Sequence, residues 1–142
     1  MTGRWVELVR EVDPAATFGD PVDEAALHAC EVALAHPLSV DLTALLRETD
    51  GVGTAYGDSS LWTLRRIHEE NTWIRTDEQY AELYLPFDDL CFFDDAGNGD
   101  WYGFVPRREA HGLHDIYRWD HEDDSRAWVA PDLETYIRTC KQ

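Results

Sequence analysis

Acidic side chains bunch at two places in this 142-residue chain. The first bunch is Asp94, Asp95 and Asp100, within Phe93-Asp94-Asp95-Ala96-Gly97-Asn98-Gly99-Asp100, and the second is Asp120, Glu122, Asp123 and Asp124. Three chemistries are open to such groups. A calcium loop would begin at Asp94 and has Asn98-Gly99 at suitable offsets. It has Ala96 where a ligand is needed and Val105 where the closing bidentate Glu belongs, so the pattern fails. Acid–base hydrolysis by Asp94, Asp100 and His121 would need a nucleophile and a pocket, and neither is signalled in the sequence. The third chemistry is recognition of a cationic partner, with Trp101 and Trp119 as aromatic anchors ringed by charge. Each group also has a plainer reading. Asp94 or Asp100 can cap a turn through backbone N–H groups, the second run can be a solvated loop, and a Trp can be core.

Metal and thiol chemistry are poorly supplied. His111, His114 and His121 are near in sequence, but only the first two share a short spacing and no third ligand follows, so no metal is expected. His68 with Glu69 and Glu70 lacks the second histidine of a zincin and reads as helix surface. Cys30, Cys91 and Cys140 sit among apolar neighbours without ligand spacing, which fits buried, reduced thiols in a cytoplasmic protein. No cofactor is expected.

The charge balance narrows the partners. With 29 Asp plus Glu against 12 Lys plus Arg, the formal net charge is −17, which repels nucleic-acid backbone and anionic membrane. A basic protein is the natural complement, because opposite fields speed encounter and suppress wrong pairings; plain solubility is the alternative use of such charge. With 44% hydrophobic and 12% aromatic residues the chain can build a core, and no apolar run has the length of a membrane span. The N-terminus lacks the basic-then-apolar layout of a signal peptide.

The elements that position these residues can be read in order. Trp5, Leu8, Val9 and Val12 recur at helical spacing over Thr2 to Glu11. Residues 13–21, with Pro14, Gly19 and Pro21, read as a linker. Helices follow over Asp23 to Leu34 and from Ser39, which serves as a cap, with Leu42, Leu45 and Leu46 turned inward. Thr54 to Ser60 is a loop or ragged hairpin, Leu61-Trp62-Thr63 a short strand, and Leu64 to Trp73 a further helix. Thr76 to Pro86 carries no decisive pattern. Leu90 to Asp95 and Trp101 to Val105 then form two strands around Asn98-Gly99, the dipeptide favoured in a tight two-residue hairpin whose central residues both need positive φ. Asp94, Asp95 and Asp100 are expected outward on that corner.

Pro106 to His114 is a polar connection, Asp115 to Trp119 a third strand, residues 120–125 a charged turn, and Ala127-Trp128-Val129 another strand. Pro131 fits the first position of a closing helix that buries Leu133, Tyr136, Ile137 and Cys140. The fold class is α+β: a mainly antiparallel twisted sheet with flanking helices. Residues 1–21 form an N-terminal helix and linker packed on or extending a domain of residues 22–142. If the two acidic turns share one edge of the sheet, their charges add into one patch.

The order of these features resembles the SUKH superfamily, in particular its Smi/Knr-type domain, over roughly Val22 to Thr139. The resemblance rests on Leu42-Thr43-Ala44-Leu45-Leu46, Asp50-Gly51, Leu61-Trp62 leading into a helix, Phe93 to Asp100, Tyr117-Arg118-Trp119-Asp120-His121-Glu122, and Trp128-Val129-Ala130. It departs at Leu38-Ser39, where the family commonly has Leu-Pro, and over Thr72 to Pro86. The resemblance implies function by binding, with no shared catalytic residues: a bacterial, cytoplasmic immunity protein that neutralises a toxin. Combined with the charge, it implies a basic, nuclease-type toxin met by Asp94, Asp95, Asp100, Trp101, Trp119, Asp120, Glu122, Asp123 and Asp124. The alternative is a non-enzymatic scaffold or regulatory interaction domain, as the eukaryotic relatives suggest. A shared fold does not name the partner.

Overall fold

The structure is a computed structural model that describes residues 3–56, 59–87, 89–106 and 115–141. Four helices lead. In α1 (Arg4–Val12) the spacing that reads as amphipathic buries Trp5, Val6, Leu8 and Val9, and the helix packs on α3 (Val40–Glu48). Between them, α2 (Glu24–Leu34) starts at Asp23, whose carboxylate accepts the Ala26 N–H at 2.8 Å. At the start of α3 the Ser39 hydroxyl accepts the Leu42 N–H at 3.2 Å. That contact supplies the orphan donor a partner in place of the proline that would have removed one. The helix α4 (Leu64–Thr76) is capped in the same way by Thr63 and packs on α2.

Two sheets accompany the helices. The small one is antiparallel, in the order β1 (Thr17–Phe18), β2 (Val52–Gly53), β3 (Ser59–Leu61). The hairpin of β2 and β3 is ragged as expected, with a register shift at Val52/Gly53. The linker was expected to be irregular, but Thr17 and Phe18 pair as a strand, because two backbone partners on β2 are available at that edge. The undecided stretch contains α5 (Glu78–Leu83), whose cap Asp77 accepts from the Gln79 and Tyr80 N–H groups.

The second sheet is a four-stranded antiparallel meander of β4 (Cys91–Asp95), β5 (Trp101–Phe104), β6 (Ile116–Trp119) and β7 (Arg126–Ala130). Most of the polar connection before β6, including His111 and His114, lies outside the described residues. The chain closes with α6 (Leu133–Cys140), which packs on α1 and β7. Pro131 stands outside this helix, because Asp132 is the cap and accepts the Thr135 N–H at 2.7 Å. Leu133, Tyr136 and Ile137 are buried as the spacing predicts, but Cys140 is exposed: the last turn of α6 runs past the core. Cys30 and Cys91 are buried thiols, and burial pushes them up to about 11 and about 12.

One continuous core joins the helices to the sheet. Trp5, Leu8 and Val9 of α1 belong to it together with Leu45, Ile67, Phe92 and Tyr136. Asn71, fully buried on α4, fastens helix to sheet. Its Nδ2 donates to Phe92 O at 2.8 Å and to Ile67 O at 2.7 Å, and its Oδ1 accepts the Phe92 N–H at 2.8 Å. The register of β4 shifts between Phe92 and Asp94, so this amide serves backbone groups at a strand irregularity that would otherwise be left unpaired.

Candidate functional site

The meander puts the β4–β5 and β6–β7 connections at the same end of the sheet. Their shared edge is therefore a consequence of antiparallel pairing, which meets the condition that the sequence left open. The first connection is not the two-residue turn expected from Asn98-Gly99. Ala96 N donates to Asp100 O at 2.9 Å, so Gly97-Asn98-Gly99 forms a three-residue loop. The positive φ values fall on Gly97 (86°) and Gly99 (102°), with Asn98 outside that region. Two glycines flanking an asparagine place the left-handed conformations where no side chain is penalised. The Asn98 carboxamide oxygen accepts the Asp100 N–H at 3.0 Å and the Asp95 carboxylate accepts the Gly97 N–H at 3.0 Å.

Within this frame the carboxylates have different fates. Asp94 was expected outward and is fully buried. Strand alternation turns it toward α6, opposite to Asp95. Its Oδ2 accepts the Tyr136 hydroxyl at 2.5 Å and pairs with Lys141, while its Oδ1 has no hydrogen-bond partner among the described residues. Burial raises its pKa to about 6, against the opposing pull of Lys141 and Tyr136, and the same carboxylate together with burial raises that of the Tyr136 phenol. Asp95, half-buried on the other face, receives the Trp62 indole N–H at 2.9 Å and Arg66 at 3.1 Å.

Asp100 was also expected outward and is buried. Its Oδ2 accepts from Arg118 Nη2 at 2.8 Å and Nε at 3.0 Å, and its Oδ1 accepts the His121 backbone N–H at 3.2 Å. The same Oδ1 lies 2.6 Å from His121 Nδ1. Burial works against ionisation here, but the bonds from His121 and Arg118 outweigh it and hold the carboxyl down at about 2. In return the carboxylate raises the pKa of the His121 imidazole.

The β6–β7 turn is closed by Asp120 N to Ser125 O and Asp124 N to Asp120 O, both 2.9 Å. Asp124 takes a left-handed backbone, φ 60°, and its carboxylate is occupied internally. It accepts the Trp119 indole N–H at 2.8 Å, the Leu85 N–H at 2.9 Å and Arg126 at 3.2 Å. Burial would raise its pKa, but these donors bring it below the usual range. Only Glu122 and Asp123 of the acidic residues in this turn are exposed; Asp120 is half-buried.

The tryptophans expected as anchors pack against the core. Trp119 is buried, and Trp101, half-buried, stacks among Trp62, Phe92 and Trp119 with ring centroids 5.1, 5.2 and 5.9 Å away. Tyr84, Arg118 and Arg126, which no acidic or aromatic clustering marks, are what fix the turns: the Tyr84 hydroxyl donates to His121 O at 2.6 Å. Tyr84 and Arg118 act across gaps of 37 and 18 positions, which local patterning does not reveal.

The hydrolase trio is not assembled. Asp94 belongs to Tyr136 and Lys141, whereas Asp100 belongs to Arg118 and His121. Among the described residues, Asp100, Asp120 and His121 bring ligand atoms within 4.8 Å of one another. The Arg118 guanidinium already occupies the cation position there, so the set does not favour a metal. An open groove of about 520 Å3 lined by Pro21, Asp23, Cys30, Asp50, Arg65 and His68 includes no residue of either turn. No helix among the described residues is long and apolar enough to cross a membrane.

A model of the SMI1/KNR4 family (SUKH-1) matches residues 21–139, well over half of the chain, beginning after α1 and β1. No curated protein matches it.

Proposed function

The chain belongs to the SMI1/KNR4 family (SUKH-1), and on that premise we propose that it is an immunity protein, a non-enzymatic cytoplasmic binder that neutralises a basic, nuclease-type toxin by occupying its substrate cleft. Proteins of this superfamily commonly confer immunity on toxin-bearing cells. The observation that carries the surface is the Asp100–His121 contact. It clamps two hairpin turns together and leaves Glu122 and Asp123 projecting from the clamped edge. A nuclease must line its cleft with Lys and Arg to hold phosphates. Carboxylates presented on a stiff edge compete for those cations without a large ordering cost, and a net charge of −17 steers the encounter. The expected mechanism is occlusion, with no bond made or broken.

Co-expression with the toxin domain encoded beside this gene tests the reading. Cells should survive and a one-to-one complex should be recovered, with an association rate that falls steeply as salt rises. Undiminished toxicity with no complex, or the absence of any adjacent toxin-bearing reading frame, would overturn it.

A further inference from the structure

Beside the clamped turns lies an apolar pair that the fold leaves uncovered. Leu83 is 71% exposed and Leu85 67% exposed, an unusual state for two leucines so close in sequence. Tyr84 between them is extended, with φ −129° and ψ 158°, so its neighbours share the face opposite to its own ring. The ring points inward, 5.1 Å from Trp119 by centroids, which turns Leu83 and Leu85 outward together.

This ledge is stiff. Leu85 N donates to Asp124, Arg126 donates to the carbonyls of Leu85 and Pro86 at 2.9 and 3.1 Å, and Tyr84 donates to His121 O. The strap is thus bonded to the same turn that presents Glu122 and Asp123. Arg126 holds the strap and also pairs with Asp89 at 3.0 Å, and among the described residues the exposed carboxylates next to the leucines in the chain or on the turn bonded to them are Glu82, Glu122 and Asp123.

We infer that Leu83 and Leu85 seat an apolar side chain, aromatic or long aliphatic, of a basic protein whose Lys and Arg residues surround that side chain and meet Glu82, Glu122 and Asp123. This deepens the proposed function and rests on its basic-partner reading. The charge selects the occupant. A second copy would bring the same acidic rim against itself, which like-charge juxtaposition penalises. A basic surface with an apolar centre matches both the rim and the ledge. Apolar contact at the centre, with charge at the rim, is where binding energy concentrates, and a ledge already held in place loses little entropy on binding.

The test uses the full chain, labelled with 15N, and two synthetic twelve-residue Lys/Arg peptides that differ only in a central Phe or Ala. The Phe peptide should shift the amides of residues 82–85, 122 and 123, and bind about tenfold more tightly than the Ala peptide at 0.15 M salt. Leu83→Ala with Leu85→Ala should erase that preference while leaving the weak common binding intact. Both side chains are exposed, so this variant keeps its fold, which the dispersion of the same spectra reports. Equal affinity for the two peptides, or a preference that survives the double substitution, overturns the inference. So does a concentration-dependent dimer abolished by the double substitution, which would assign the ledge to a second copy. A chain that shows the Phe preference but gives no protection against toxin loses the immunity reading alone; protection without the preference loses the ledge alone.

Discussion

His121 Nδ1 and Asp100 Oδ1 lie 2.6 Å apart, joining two hairpin turns separated by 21 positions in the chain. The imidazole is lifted above its ordinary value chiefly by this bond. A group raised on folding contributes stability that is present below its unfolded pKa and is lost as pH rises through the folded one. The advantage of the native chain over His121→Gln in urea unfolding should therefore be larger at pH 5.5 than at pH 8.5. In an NMR titration, Asp100→Asn should return the His121 midpoint downward toward the ordinary imidazole range. An unmoved midpoint would mean that the contact is not formed in solution.

Asp94 runs in the opposite sense to Asp100. Its carboxyl is raised to about 6 by burial, so the native state holds that proton more tightly than the unfolded chain does. Its contribution is complete below the unfolded value and declines as pH rises through about 6. Asp94→Asn keeps an acceptor for Tyr136 and removes the titration. Relative to this variant, the native chain should lose on the order of 3 kcal/mol between pH 4 and pH 8. Lys141→Met should steepen the loss, because the buried carboxylate then has no countercharge.

Asn71 holds both backbone groups of Phe92. Asn71→Ala leaves a buried N–H and a buried C=O unpaired and opens a small void. The expected loss is about 3 kcal/mol in urea unfolding, with the fold retained. A loss below about 0.5 kcal/mol would show that water or a strand shift supplies the missing partners.

Gly99 has φ 102° and stands against His121, and a Cβ built there would come within 2.8 Å of the imidazole ring. Gly99→Ala should cost about 2 kcal/mol through backbone strain together with the clash. Gly97, φ 86°, meets nothing within 4 Å, so Gly97→Ala isolates the backbone share and should cost about 1 kcal/mol. Equal losses at the two positions would argue that the ring moves aside freely.

Charge reversal separates the exposed carboxylates from those engaged in the fold. Glu122→Lys with Asp123→Lys should slow association with a basic partner at least tenfold at low salt and cost only about 1 kcal/mol, because Asp123 also accepts the Ser125 N–H at 2.9 Å. Reversal at Asp100 or Asp124 should instead lower stability by several kcal/mol, since each anchors donors that lose their acceptor. Stopped-flow association and calorimetry distinguish the two outcomes.

Most of the architecture was legible because helix period, caps and strand alternation are local. Asp23, Ser39, Leu45 and Phe104 behave as their neighbours in sequence imply. The destinations of the carboxylates were not legible. Nothing near Asp94 announces Tyr136 and Lys141, and nothing near Asp124 announces Leu85. Three residues that look alike on a turn were separated by strand alternation and by donors arriving from distant elements. β1 was missed for a related reason: a two-residue strand has no periodicity, and its partner decides it.

Asp124 holds a left-handed backbone that a glycine would occupy more comfortably, yet its carboxylate gathers donors from Trp119, Leu85 and Arg126. Mutational drift toward the easier residue would let go of all three. Glu122, two steps away, carries no such obligation, and Asp123 holds only the Ser125 N–H at 2.9 Å. The molecule thus resembles a tool with a fixed chuck and an exchangeable bit: the exposed tip can change while the mounting beneath stays as it is.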